Sequence, residues 1–218
     1  HWFGLALLNV TAMDSEGAAT TLLIDVVVKP VDEAPVLSLA TTMIEIDEDE
    51  TILIDKALQL DDTDEWALTS SPSIYIASIE CALPKCSLVL GSGAIRAGLM
   101  IEQQALSSKL VLRGPLTLLG DALRGVQYIP GPNQHGDDII TWVVEDDTGL
   151  ATTVTQSIHI KSVNDIPVIN APTRITAADD ESNVEGLPHF NATGMRLTDP
   201  DFENGVEKMT VKLECAEF

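Results

Sequence analysis

The sequence predicts an all-β fold: antiparallel β-sandwich domains with Greek-key connections, set in a tandem linear array. Three observations carry this. Side-chain character alternates with period two, since Leu22, Ile24, Val26 and Val28 alternate with Leu23, Asp25, Val27 and Lys29, the pattern of a strand with one face turned to a core. Thr153, Thr155, Ser157 and His159 alternate in the same way with Val154, Ile158 and Ile160. Gly17 and Gly149 break such stretches where a hairpin turn is needed. Finally, the chain repeats itself, and fixed-period self-similarity is the signature of an array.

The repeat has a spacing of 132 residues. Asp14-Ser15-Glu16-Gly17-Ala18-Ala19-Thr20-Thr21 matches Asp146-Asp147-Thr148-Gly149-Leu150-Ala151-Thr152-Thr153, and the same step carries Asp32-Glu33 to Asn164-Asp165 and Pro35-Val36 to Pro167-Val168. Further on, Leu60-Asp61-Asp62-Thr63-Asp64 resembles Leu197-Thr198-Asp199-Pro200-Asp201, and Glu80-Cys81-Ala82 recurs as Glu214-Cys215-Ala216. The expected organisation is the C-terminal part of one repeat (1–34), a complete repeat (35–166) and the N-terminal part of a third (167–218). On this reading the chain is a window within a longer protein.

Element by element, Leu8, Val10 and Ala12 share a strand face and correspond to Ile140, Trp142 and Val144. After the linker Val31 to Pro35, about a dozen residues cross the domain to Ile46-Asp47-Glu48-Asp49-Glu50, given about 3.3 Å of rise per strand residue. Thr51 to Leu60 returns. Leu116 to Tyr128 departs from period two, because Leu119, Leu123 and Val126 fall at helical spacing, so a short helix is expected there. A hairpin around Gly149 then closes the domain.

Composition narrows the function. The 218 residues hold 12 basic and 34 acidic side chains, a formal net charge of −22, yet 45% of residues are hydrophobic. That combination belongs to a folded acidic protein rather than a disordered tail. Nucleic acid and anionic membrane surfaces are disfavoured as direct partners, since both need clustered Lys and Arg. No apolar run is long enough to insert into a bilayer.

Leu123-Arg-Gly-Val-Gln-Tyr128-Ile-Pro130-Gly-Pro-Asn133-Gln-His-Gly136, an apolar alternating strand, Asp146 with Gly149, and Val163-Asn164-Asp165-Ile166-Pro167-Val168 together resemble cadherin-like tandem repeats. Relatives of that family include the proteoglycan-type repeats of matrix proteins and repeats of large bacterial and algal surface proteins. The resemblance implies an Ig-like sandwich, an adhesive or structural role, and calcium between successive domains. Lys161 and Ser162 stand where cadherins place an acid, and Ile166 where they place a second Asn, so one or two ions per junction are expected.

Strand lengths say which acids can meet. A strand from Gly149 to Asn164 spans on the order of 45 Å, so Asp146 belongs at the pole opposite the linker that follows it. Two oxygen-rich junctions are predicted. The first gathers Asp32, Glu33, Asp62, Asp64 and Asp146; the second gathers Asn164, Asp165, Asp199 and Asp201 with Glu48 or Asp49. Carboxylates mixed with amide and backbone carbonyls suit calcium, with its six to eight oxygen ligands, better than magnesium. Asp179-Asp180-Glu181 aligns with Asp47-Glu48-Asp49 and would serve a further junction. The plain alternative is that these acids are solvated turn residues, which Asp and Asn favour in any case.

Cys81 and Cys86 are expected to form a disulfide closing a hairpin tip, with two buried free thiols as the alternative; Cys215 aligns with Cys81. Local pairs of this kind point to an oxidising, extracellular address. Asn9-Val10-Thr11 and Asn191-Ala192-Thr193 are glycosylation sequons. Asp147-Thr148-Gly149 resembles an aspartic-protease triplet, but its repeat counterpart reads Ser15-Glu16-Gly17 and no second triplet appears. His135, His159 and His189 stand apart from any nucleophile signature, so no catalysis is expected. The expected role is an extracellular structural or adhesion repeat module of a longer surface or filament-forming protein, stiffened by Ca2+ at its junctions. The alternatives are an ion-independent stalk and a non-catalytic appendage of a large secreted enzyme or receptor. Expected partners are neighbouring repeats, with other copies or surface proteins as further candidates. Aromatic residues make up 4% of the chain, few anchors for a strong side-on interface.

Overall fold

A computed structural model describes residues 2–63, 73–93, 97–102, 107–172, 195–201 and 210–212. Asp64, Asn191, His189, Cys215 and the Asp179-Asp180-Glu181 cluster lie outside the described residues. By internal contacts the chain divides into two units, His1–Lys161 and Ser162–Phe218.

The first unit contains β1 (Gly4–Met13), β2 (Ala19–Val28), β3 (Val36–Ser38), β4 (Met43–Asp47), β5 (Ile52–Leu53), β6 (Gln59–Asp61), β7 (Tyr75–Cys81), β8 (Ser87–Leu90), β9 (Met100–Glu102), β10 (Lys109–Gly114), α1 (Leu116–Leu123), β11 (Val126–Ile129), β12 (Gly136–Glu145) and β13 (Ala151–Lys161). A six-stranded sheet runs in the order β4-β13-β12-β7-β10-β9, and a three-stranded sheet in the order β5-β11-β8. Their apolar faces share one core, in which Tyr75, Ile79, Leu88, Leu110, Leu112, Tyr128, Ile140, Trp142 and Ile158 are almost wholly buried. The fold is all-β, as expected, with a core of the two-layer kind. One pairing departs from the antiparallel expectation: β4 runs parallel to β13, Ile44 opposite Ile158 and Ile46 opposite Ile160. Ile46 joins the core from that edge.

The expected helix forms as α1, which buries Leu116, Leu119, Gly120, Ala122 and Leu123, the i, i+3, i+7 face of a surface helix. It ends before Gly125, so Val126 belongs to β11, where it faces Leu90 of β8. Arg124 at the helix end donates from Nε to the Leu58 carbonyl at 2.9 Å, tying the helix to the loop before β6.

Cys81 and Cys86 are disulfide-bonded. The bond does not close a hairpin. It spans the connection from β7 to β8, which lie in different sheets, and so fastens the two layers together at that end.

Two local pairings recur at the spacings read from the sequence. Strand β1 pairs β2 with Gly4 opposite Val28 and Met13 opposite Ala19; β12 pairs β13 with Gly136 opposite Ile160 and Glu145 opposite Ala151. Every partner is displaced by the same 132 residues. In the second unit, β14 (Val168–Asn170) pairs β15 (Arg196–Thr198), with Val168 opposite Thr198. In the first, β3 pairs β6, with Val36 opposite Asp61.

Candidate junction site

Within the first unit, an acidic site sits where the linker after β2 meets the β12–β13 turn. The turn is built by Asp146. Its Oδ1 accepts the Thr148 and Leu150 amides, each at 2.9 Å. The backbone closes with the Asp146 amide on the Leu150 carbonyl at 3.0 Å, and Gly149 holds φ +94°, a left-handed conformation that suits glycine. Asp14 builds the β1–β2 turn identically, accepting the Glu16 and Ala18 amides at 2.9 Å.

The two turns differ in what surrounds them. Asp146 is 5% exposed, and its Oδ2 has no hydrogen-bond partner among the described residues. Leaving a buried carboxylate oxygen unsatisfied costs on the order of 1–3 kcal/mol or more. The Thr148 hydroxyl, with one proton to give, stands 2.5 Å from Asp32 Oδ2 and 2.8 Å from Asp146 Oδ1. Two carboxylates thus crowd a single donor, an arrangement that leaves negative charge under-compensated.

Other acids of the first predicted junction lie close along the chain. Glu33 Oε2 accepts the Thr63 hydroxyl at 2.9 Å. Asp62 is buried, and its Oδ2 accepts the Tyr75 hydroxyl at 2.9 Å. The linker is anchored where the Pro35 carbonyl accepts the Thr152 hydroxyl at 2.5 Å. Asp32, Glu33, Asp62 and Asp146 therefore attach to one end of the sandwich, although no three of their carboxylates converge within 4.8 Å of one another among the described residues.

The residues expected at the second junction fall in different units. Glu48 and Asp49 belong to the first. Glu48 is buried, its amide donates to the Lys161 carbonyl at 2.9 Å at the end of β13, and its carboxylate is 4.0 Å from His135 Nδ1. Asp49, at φ +60°, accepts the Asn133 amide at 3.1 Å. In the second unit the Asp165 amide donates to Asp201 Oδ2 in a very short bond, the Asp201 amide donates to Asp199 Oδ1 at 3.1 Å, and the Asn164 side chain donates to the Asp165 carbonyl at 3.0 Å.

Sequence reasoning missed two buried acids. Asp138 accepts the Ala82, Leu83 and Ile139 amides on Oδ1 and the Tyr128 hydroxyl on Oδ2 at 2.7 Å. Burial, then the neighbouring Asp138 carboxylate, pushes the Tyr128 phenol well above its ordinary range. Asp55 accepts the Ala40, Thr41 and Ala57 amides. Both carboxylates are satisfied by backbone donors and so brace loops. Cys81 and Cys86 lie within ligand distance of Asp138, but their sulfurs are consumed in the disulfide. The outer face carries exposed pairs such as Lys161 with Glu45 at 2.9 Å, Lys109 with Glu80 and Arg113 with Glu102, each worth little.

No protein-family model matches the chain, and no curated protein matches it. Among solved structures, it is similar to the fibronectin(III)-like modules of Clostridium thermocellum CbhA, with TM-score 0.30 and 14% identity over 73% of this chain and 64% of that one. It is similar to protocadherin Gamma B2 extracellular cadherin domains 3–6, with TM-score 0.38 and 17% identity over 77% of this chain and 35% of that one. A third likeness is to the N-terminal domain of the Streptococcus gordonii adhesin Sgo0707, with TM-score 0.32 and 12% identity over 67% of this chain and 36% of that one. The chain thus spans 64% of the first of these structures and about a third of the other two. Among the described residues no helix is long and apolar enough to cross a membrane.

Proposed function

We propose that the chain is an extracellular structural or adhesion module, organised as repeats 1–34, 35–166 and 167–218, whose junctions are stiffened by calcium. The observation that carries the ion is the under-compensated pair Asp146 and Asp32. The orphaned Asp146 Oδ2 is buried beside a hydroxyl already shared between the two carboxylates, and a hard divalent cation is the partner such oxygens favour. Asp146 and Asp32 would hold it, with Asp62, Asp64 and Glu33 as further oxygen donors. The second junction would draw on Asn164, Asp165, Asp199 and Asp201 with Glu48 or Asp49. The ion supplies charge neutralisation, and the linker is then fixed against the sandwich end.

Calorimetric titration of the chain with calcium, and melting in calcium and in chelator, tests this. Saturation at 100 times Kd stabilises the native state by about 2.7 kcal/mol, and Asp146→Asn is expected to remove most of that gain. No binding heat and superimposable melts would sink the calcium reading. They would leave the second reading, an ion-independent stalk. The same reading places a glycan on Asn9, exposed on β1; peptide mass after secretory expression decides it.

A further inference from the structure

The core-type face of the β1–β2 hairpin has a counterpart that explains it, but its opposite face does not. On the latter, Leu5 pairs Val27, Leu7 pairs Asp25 and Asn9 pairs Leu23. Leu5, Leu7, Leu23 and Val27 are 62–67% exposed. The equivalent face of β12–β13 shows what this fold normally presents to water. Where the first hairpin has the pair Leu5–Val27, the second has Asp137 and His159, joined at 2.6 Å and exposed. Where the first has Leu23, the second has Thr155. Only Leu7 keeps an apolar counterpart, Ile139. The apolar strip is therefore a departure confined to one copy of the motif, and a contiguous exposed apolar strip marks an interaction surface.

We infer that this strip is a side-on interface with a second copy of the chain. The charges on the face identify the occupant. Asp25 stands two residues from Val27 on one side and Lys29 two residues on the other, and Lys29 matches Lys161, whose side chain pairs with Glu45 on the outer face of its own sheet. Place a two-fold axis between two such faces, running across the strands at the level of Leu5–Val27. Leu5 and Val27 then meet their own copies, and Asp25 of each chain faces Lys29 of the other. The interface is self-complementary, as a two-fold contact must be, and opposite charges at its margins set the register. Asn9 and its cross-strand partner Leu23, each four residues from the centre, flank the paired stretch, whose apolar contacts are made by Leu5, Leu7 and Val27. This contact is independent of any bound ion, and it supplies the side-on association that the low aromatic content argued against.

Sedimentation equilibrium of the intact unglycosylated chain, in chelator at physiological salt, tests the inference. A reversible dimer is expected. Asp25→Lys or Lys29→Asp alone should weaken it at least tenfold, and the double variant Asp25→Lys/Lys29→Asp should restore it, which a merely misfolded hairpin would not do. Leu8→Asp, on the opposite face, should leave it intact. A monomer at all concentrations, failure of the double variant to restore association, or association lost in Leu8→Asp but untouched by Asp25→Lys would overturn it.

Discussion

The β1–β2 and β12–β13 hairpins are the same local object in two surroundings. Their registers coincide residue for residue, and their turns are closed by equivalent Asp side chains. Yet Ile140, Trp142 and Val144 are buried, while Leu8, Val10 and Ala12, their counterparts, are exposed. Period-two patterning and one glycine suffice to make the hairpin; burial requires the partner strands. Strand β12 is flanked by β7 and lies over the second sheet, whereas β1 and β2 pair only with each other among the described residues.

The largest break in this comparison comes from the core. Trp142→Ala is expected to cost the first unit about 3 kcal/mol, the low end of the usual range because its indole N–H has no partner among the described residues to lose. Val10→Ala, at the matching position, should change denaturant stability by less than about 0.5 kcal/mol. Next, Cys81→Ser with Cys86→Ser opens a short loop, for which chain entropy gives about 2 kcal/mol. Because Cys81 lies opposite Ile140, hydrogen exchange should quicken along β12 and stay unchanged in β1.

Gly149→Ala and Gly17→Ala sharpen the contrast further. Both residues have positive φ, +94° and +88°, and no described atom lies within 4 Å of a Cβ added at either, so the penalty is conformational and about 1–2 kcal/mol in each. Global unfolding should register it at Gly149 alone; at Gly17 it should emerge as faster local exchange. Smallest of all, Thr11→Ala removes the 3.1 Å Thr11–Thr21 hydroxyl contact and should lower hairpin protection by about 0.2–1 kcal/mol.

The division between what the sequence revealed and what it did not follows the range of the interactions. The hairpins, helix α1 and the repeat spacing rest on neighbours a few residues apart, and their patterns were readable. The parallel placement of β4 was not, because Ile46 meets Ile160 across more than a hundred residues. Asp138 carries no local signal of its role, which depends on amides 55 and 56 residues away. The Asp146 turn was readable; the orphaned Oδ2 became visible only once burial was known.

The parallel β4–β13 pairing has a mechanical consequence. These strands lie near the two ends of the sandwich's own sequence, and they run in the same direction side by side. Tension applied through the chain would pull β4 backward and β13 forward, loading their hydrogen bonds in shear and all at once. An antiparallel pair at the same place would instead open bond by bond, like a zipper. A domain closed this way resists extension through the geometry of its strands, and forced unfolding is governed by the height of that barrier.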